Sequence, residues 1–491
     1  MNSARAQLSP PSVSPELVSR PQLPFRVKLS YGVGDLAVAI RLTAVRDFLL
    51  FFYTNVVMLN PSLAGLALAI GRLWDGVNDP LVGYLSDSTT SRFGRRRLYL
   101  LVSILPLGVC FYLLWSPPIG LDAMGNFVFL ATMYMLMDAC FTLYATPYLA
   151  LGAELSQDYH ERTQIVATRT VFHGLGAFLT VTCLSKVAGG SPTTLQDGAV
   201  ALSSTLPPTV ARQGFAQVGA LLAGVIIFAG LIAFYGSRET PPSSQTVQRS
   251  FRSFVNTLRS TLNNQPFQVL IYTFAVMTLG ASIHQPLTVY VFRDWLAMGQ
   301  QLPTLMTLYL ASVLLSLGAW THLARRIGKN RAFQVCILWS VAALSVFPVL
   351  RADMPSWVFY MFLILAGFGA GGYVLPLSIA ADVVDYDELH SGQRREGAFF
   401  GLWTLTMKLV AAVGILLVGV SLDLIGYIPN QAQSAFTLWS LKMLYGPIPA
   451  LFFLGSFFIF LRFPLTREHH ADIQQQLQLR RLQLRSSREE E

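Results

Sequence analysis

Two short strings decide how this chain folds: Ser91-Arg92-Phe93-Gly94-Arg95-Arg96-Arg97 and Arg325-Arg326-Ile327-Gly328-Lys329-Asn330-Arg331. Each is a glycine turn with basic flanks set between two apolar stretches. They lie 234 residues apart, and a second correspondence has nearly the same offset: the prolines of Thr146-Pro147-Tyr148 and Leu375-Pro376-Leu377 are separated by 229 residues. Both prolines fall near the end of an apolar stretch, and an acidic segment follows each. Two motifs recurring in the same order at nearly one offset point to an internal duplication.

Outward from these turns run twelve apolar stretches, at approximately 33–58, 62–86, 98–116, 126–150, 165–188, 214–236, 267–292, 303–323, 333–350, 356–380, 398–420 and 443–462. Each is long enough to cross a hydrocarbon core of roughly 30 Å as a helix. With 53% hydrophobic and 12% charged residues in a chain of 491, there is too little polar material to cover a soluble protein of this size. Of the 35 Lys and Arg, with Lys186 and Arg462 at helix ends assigned to the adjoining loop and tail, 25 lie in the tails and the even-to-odd loops, five in the opposite loops and five within helices. This is the positive-inside pattern, which predicts a multi-pass protein of the plasma membrane with both termini in the cytoplasm. The net charge of +9 is thereby accounted for without nucleic acid.

The expected organisation is a disordered cytosolic lead-in over 1–27, a six-helix half over 28–236, a Ser- and Pro-containing linker over 237–266, a second six-helix half over 267–462 and a cytosolic tail over 463–491. Parallel repeats of six helices, each built from inverted triplets, are the plan of the all-α major facilitator fold, with substrate held near the midplane between the halves. Cys110, Cys140, Cys183 and Cys336 all fall in apolar stretches, with no metal-ligand spacing, and imply neither disulfides nor a metal site.

A charge inside a spanning segment is costly unless paired or hydrated, so the ionisable residues in the stretches carry most of the functional information. They are Asp35, Arg41, Arg46 and Asp47 in the first helix, Arg72, Asp75 and Asp79 in the second, Asp138 in the fourth, Arg169 opening the fifth and Lys408 in the eleventh. The densest run is Arg72-Leu73-Trp74-Asp75-Gly76-Val77-Asn78-Asp79-Pro80. Asp75 and Asp79 are four residues apart and share a helical face, with the amide of Asn78 beside them. Two carboxylates about 4 Å apart repel by about 4 kcal/mol at an effective dielectric near 20, so the pair requires a proton, a metal ion or a basic partner. Oxygen-only ligands suit a hard monovalent ion such as Na+. A structural reading is also open, in which Arg72 pairs with Asp75 and Asp79 caps a kink at Pro80. Lys408, four residues after Thr404 on one face of the eleventh helix, has the second-helix carboxylates as its natural partners. His173 and His284 read as packed, hydrogen-bonding residues. No nucleophile–base pair is evident, so a carrier is expected and not an enzyme.

Five strings occur in a characteristic order: Lys28-Leu29-Ser30-Tyr31-Gly32; Trp74 to Pro80; Thr146-Pro147-Tyr148 with Glu161-Arg162-Thr163 and Arg169; Asp382 to Tyr386 ahead of Lys408; and Ile425-Gly426-Tyr427-Ile428-Pro429. From about Lys28 to Pro464 the chain resembles the glycoside-pentoside-hexuronide:cation symporter family, the melibiose permease-like sodium:galactoside symporters of the major facilitator superfamily. The resemblance implies Na+- or H+-coupled symport of a sugar, glycoside or sugar acid by alternating access. It places the cation ligands on Asp75, Asn78, Asp79 and Thr142, with Na+ held by Asp75 and Asp79. Lys408 and Thr404 take the family's eleventh-helix positions, and Arg72 joins them as a coupling residue.

The family's two sugar-binding aspartates, however, fall on Ala39 and Ala145. Galactoside binding of that kind is therefore not expected. The same family fold serves lysophospholipid carriers, so a cation-dependent carrier of lysophospholipid or another amphiphile is the alternative. Arg46 lies seven residues after Ala39 and Asp138 seven before Ala145, which suggests a displaced Arg46–Asp138 site for an anionic substrate, helped by Arg41. Arg169 and Tyr148 complete the candidate substrate residues. The expected partners are a small-molecule substrate, a monovalent cation and membrane lipid around a monomer, with no cofactor beyond the coupling ion.

Overall fold

The computed structural model describes residues 23–489 apart from 90, 93, 157, 190–207, 238–260 and 394. Residues 1–22 of the expected lead-in and most of the expected linker lie outside the described residues. Among the described residues twelve helical columns form: α1 (residues 25–55), α2 (Pro61–Ser88), α3 (Arg97–Leu114), α4 (Ala123–Glu154), α5 (Tyr159–Ala188), α6 (Pro208–Gly236), α7 (Gln265–Trp295), α8 (Leu302–Ile327), α9 (Lys329–Val346), α10 (Ser356–Ser391), α11 (Glu396–Leu424) and α12 (Ala435–Phe460). The columns α3 to α12 are long and apolar enough to cross a bilayer, while α1 and α2 carry most of the intramembrane charges. The chain is a multi-pass membrane protein of the major facilitator fold.

The columns run past the apolar stretches because polar caps lie just outside them. Asn60 accepts from the Ser62 amide at 2.9 Å to start α2, Asp122 from Gly125 at 2.7 Å to start α4, and Asp158 from Glu161 at 2.9 Å to start α5. Asn264 and Ser434 cap α7 and α12 in the same way. The Ser434 cap starts α12 at Ala435, well before the expected 443, with a break at Gly446. At the start of α1, Phe25 already opens a helix, and the Leu23 amide donates to Glu161 Oε1 at 2.7 Å. The expected tail is itself helical, α13 (Arg467–Glu489). Ile473 and Leu477, one turn apart, are buried in the core of the second half and dock this helix there.

Two apolar cores form, and their extents describe the shape of the bundle. The larger joins the halves at the end away from the chain termini, where Phe51 and Phe52 share a cluster with Tyr290, Phe292, Ile415 and Leu422. The smaller, around Phe267, Phe333, Phe399 and Phe460, belongs to the second half alone, at the end that carries the termini. The antiparallel columns α2 and α11 show the same gradient. A Cβ on Gly419 would lie 2.4 Å from Pro61 O and 2.9 Å from Gly65 Cα, so backbones touch at the far end. Toward the termini, a Cβ on Gly83, Gly397 or Gly401 would meet nothing within 4 Å among the described residues. The two columns form a V that opens toward the termini.

The crossing sets a prediction. Gly419→Val overpacks the closed end, at a cost of about 1–3 kcal/mol, and lowers the melting temperature of the detergent-solubilised protein. Gly401→Ala, in open space, leaves it unchanged or raised. Equal melting temperatures for the Gly419→Val variant and the parent protein would overturn the close crossing.

Candidate cation and substrate site

Midway along the V, between the touching glycines and the splayed ends, Lys408 of α11 reaches α2. Its Nζ lies 2.8 Å from Asp75 Oδ2 and 2.6 Å from Asp79 Oδ2, and 3.4 Å from the Asp75 carbonyl oxygen. The ammonium thus supplies the positive charge that the paired carboxylates require. From α4, Thr142 donates its hydroxyl to Asp75 Oδ1 at 3.1 Å. Asn78 is buried one turn from Asp75, and its Nδ2 has no hydrogen-bond partner among the described residues. An unsatisfied buried amide costs about 1–3 kcal/mol, which a bound ligand or its water can relieve. Asp75, Asp79 and Thr142 therefore meet, with Asn78 one turn along α2, and Lys408 joins them across the gap between the halves.

Other expected members lie elsewhere. Thr404 is exposed and donates to its own helix at Phe400 O, 2.9 Å away, and Arg72 has no ion pair among the described residues. The Arg72–Asp75 alternative does not form. Nor does the Arg46–Asp138 couple. Asp138, fully buried, pairs with Arg41, whose guanidinium also lies 4.3 Å over the Phe141 ring. Arg46 is half-exposed and pairs with its neighbour Asp47, 2.7 Å away. Arg46 lies within a π turn, Val45–Leu49.

Near the positions of the family's sugar carboxylates, Ala39 and Ala145 are buried. One turn before Ala39, Asp35 is buried and receives two half-exposed groups from α5. His173 Nδ1 lies 3.0 Å from Asp35 Oδ2, and Arg169 Nε lies 3.6 Å from Oδ1. His173 is thus not the packed residue expected from sequence, whereas His284 is one: it bonds Tyr445 O at 2.8 Å and lies tilted against the Tyr445 ring. Tyr148 is consumed structurally. Its hydroxyl donates to Tyr31 O at 2.7 Å, that of Tyr31 donates back to Tyr148 O at 3.1 Å, and the rings stack at 4.6 Å.

Sequence reasoning missed the seal at the closed end. Thr54 Oγ1 and the Tyr290 hydroxyl share a hydrogen bond of 2.6 Å between α1 and α7. The Tyr427 hydroxyl lies 2.6 Å from Asp294 Oδ2 and 2.7 Å from Asn55 Oδ1. Asn430 Nδ2 donates to Asn55 O at 2.6 Å, and Ser62 Oγ to Asp423 Oδ2 at 2.7 Å. A repeat signal was present in the dipeptides Arg46-Asp47 and Arg293-Asp294, each inside a π turn of the first column of its half.

A family model described as "MFS/sugar transport protein" matches residues 30–467. The chain belongs to this family. An uncharacterized symporter of Synechocystis is 28% identical, over 94% of this chain and 98% of its own length. A sodium-dependent lysophosphatidylcholine symporter of Danio rerio is 25% identical, over 92% of this chain and 88% of its own. Among solved structures, the E. coli xylose transporter XylE in an inward-open conformation superposes with a TM-score of 0.59 at 15% identity, covering 90% of this chain and 97% of that one. This last likeness concerns the fold alone.

For this MFS family member, the buried Arg41–Asp138 pair gives a test independent of transport. Arg41→Met strands the Asp138 charge and is expected to cost about 3–5 kcal/mol; adding Asp138→Asn restores most of the loss. Thermal unfolding of the two variants beside the parent checks both statements, and an unchanged Arg41→Met protein would remove the pair from the core.

Proposed function

We propose that this protein is a cation-coupled symporter of a sugar, glycoside or sugar acid, working by alternating access in the plasma membrane with both termini in the cytoplasm. The observation that carries the reading is the Lys408 ammonium held by both Asp75 and Asp79 across the gap between the halves. A Na+ ion or proton arriving at these carboxylates replaces the charge that Lys408 supplies and releases α11 from α2. Without cation, Lys408 neutralises the pair and permits the empty carrier to return. Thr142 and Asn78 add neutral oxygens suited to a hard monovalent ion. With the basic loops on the cytoplasmic side, the V opens inward.

The substrate groups are proposed on α5. Arg169 and His173 present donors from one helical face, with Asp35 behind them fixing their orientation. Two cationic or neutral donors in place of two carboxylates favour an acidic substrate such as a sugar acid. The similarity to a lysophosphatidylcholine symporter supports a second reading, a carrier of a phosphate-bearing amphiphile, which the same donors suit. Counterflow in proteoliposomes with labelled uronates, neutral glycosides and lysolipids separates the two. Saturable exchange of none of them would overturn the proposal.

Two predictions concern coupling. Asp75→Asn or Asp79→Asn abolishes cation-driven accumulation while leaving downhill exchange; a mutant that still concentrates substrate with the parent's dependence on Na+ or pH would remove these residues from the cation site. Lys408→Ala slows net transport at least several-fold more than exchange, because exchange bypasses the empty return. Equal losses in the two assays would mark Lys408 as structural only.

A further inference from the structure

The basic turn of the second half borders a cavity of about 1040 Å³, between the end of α8, the start of α9, α10 and the start of α13. This is at the large end of the roughly 300–1,000 Å³ typical of ligand pockets. We propose that this cavity recognises a phosphoryl group, carried by a phospholipid or free in solution. The site is remote from the α2–α11 couple and does not rest on the transport reading.

The duplicated turn of the first half serves as an internal comparison. There the arginines are occupied by protein groups: Arg95 and Arg96 lie 2.9 Å and 3.0 Å from Glu154 Oε1, and Arg97 Nη2 donates to Phe234 O at 2.8 Å. In the second half the matching ion pair is kept, with Lys329 Nζ 2.7 Å and 2.8 Å from the two oxygens of Asp382. Arg325, Arg326, Arg331 and Arg467 all line the cavity, and none makes an ion pair among the described residues. The acids on the lining are Asp382, already held by Lys329 and approached by His470 at 3.6 Å, and Glu468, exposed on α13.

The backbone adds to this field. The column α9 follows Gly328, which has no side chain with which to cap it, so the helix starts without a side-chain cap at residues that line the cavity. An uncapped helix start beside several guanidinium groups is an anion site on general grounds, and guanidinium forks match phosphate geometry. At the rim Val374 and Leu461 are exposed, an apolar margin that an acyl chain would cover.

The test uses the full-length protein in detergent and isothermal titration calorimetry with dioctanoyl phosphatidylglycerol, inorganic phosphate and dioctanoylglycerol as probes. Phosphatidylglycerol is expected to bind at least tenfold more tightly than dioctanoylglycerol. Arg325→Gln/Arg331→Gln/Arg467→Gln should weaken it at least tenfold, and Arg351→Gln, at the opposite end of the bundle, should not. Competition by inorganic phosphate identifies a free phosphate as sufficient; its absence identifies the lipid as the source, and either result supports phosphoryl recognition. Should the triple variant melt early, Arg467→Gln alone, at an exposed position, is expected to weaken binding by several-fold. Failure of both phosphoryl probes to bind, or undiminished binding in a well-folded variant, would overturn the proposal.

Discussion

Two carboxylates on one turn of a membrane helix cannot remain charged together without a nearby cation, and in this protein an ammonium from the other half answers that requirement. Lys408 lies within 2.8 Å of both Asp75 and Asp79, so the electrostatic need of α2 is also a mechanical tie to α11. The tie sits between a closed end, where Gly65 and Gly419 bring backbones together, and an open end, where neighbouring glycines face free space. Any change in the charge at the carboxylates therefore acts where the two columns begin to diverge. In the coupling proposed above, a small ion that neutralises them loosens this contact between the halves.

Around this pivot the duplicated halves have kept the same framework and put it to different uses. Both first columns carry an Arg-Asp dipeptide in a π turn at the closed end. In α1 the pair closes tightly on itself, Arg46 to Asp47 at 2.7 Å; in α7 it is looser, Arg293 to Asp294 at 3.8 Å, and Asp294 turns also to Tyr427 and Arg293 to Asn430. The basic turns at the open end diverge in the same manner, one consumed by Glu154 and the Phe234 carbonyl, the other left facing a cavity. A duplicated sequence fixes where charge appears, and the packing around each copy decides whether that charge is spent on the protein or offered to a ligand.

Hydropathy and the recurrence of two motifs were enough for the fold, because a bilayer forces any spanning segment into a helix of known length. The carboxylates, Asn78 beside them and Lys408 were legible as well, because charge is costly in lipid and needs a partner; Thr142 came from the family resemblance alone. Less visible were the ends of the columns, which depend on single caps such as Asn60 and Ser434, and the docking of α13, whose only sequence signal is the spacing of Ile473 and Leu477.

The sequence by itself determined a duplicated twelve-column carrier with a paired-carboxylate site, since composition, periodicity and intramembrane charge are properties of the chain. Tertiary structure alone decided which charges meet. Arg46 paired with its neighbour Asp47, and Arg41 was the cation that met Asp138. Asp35 gathered Arg169 and His173 from a helix more than a hundred residues away in sequence. Partner choice among buried charges is a matter of distances between helices, and those distances exist only once the columns have packed.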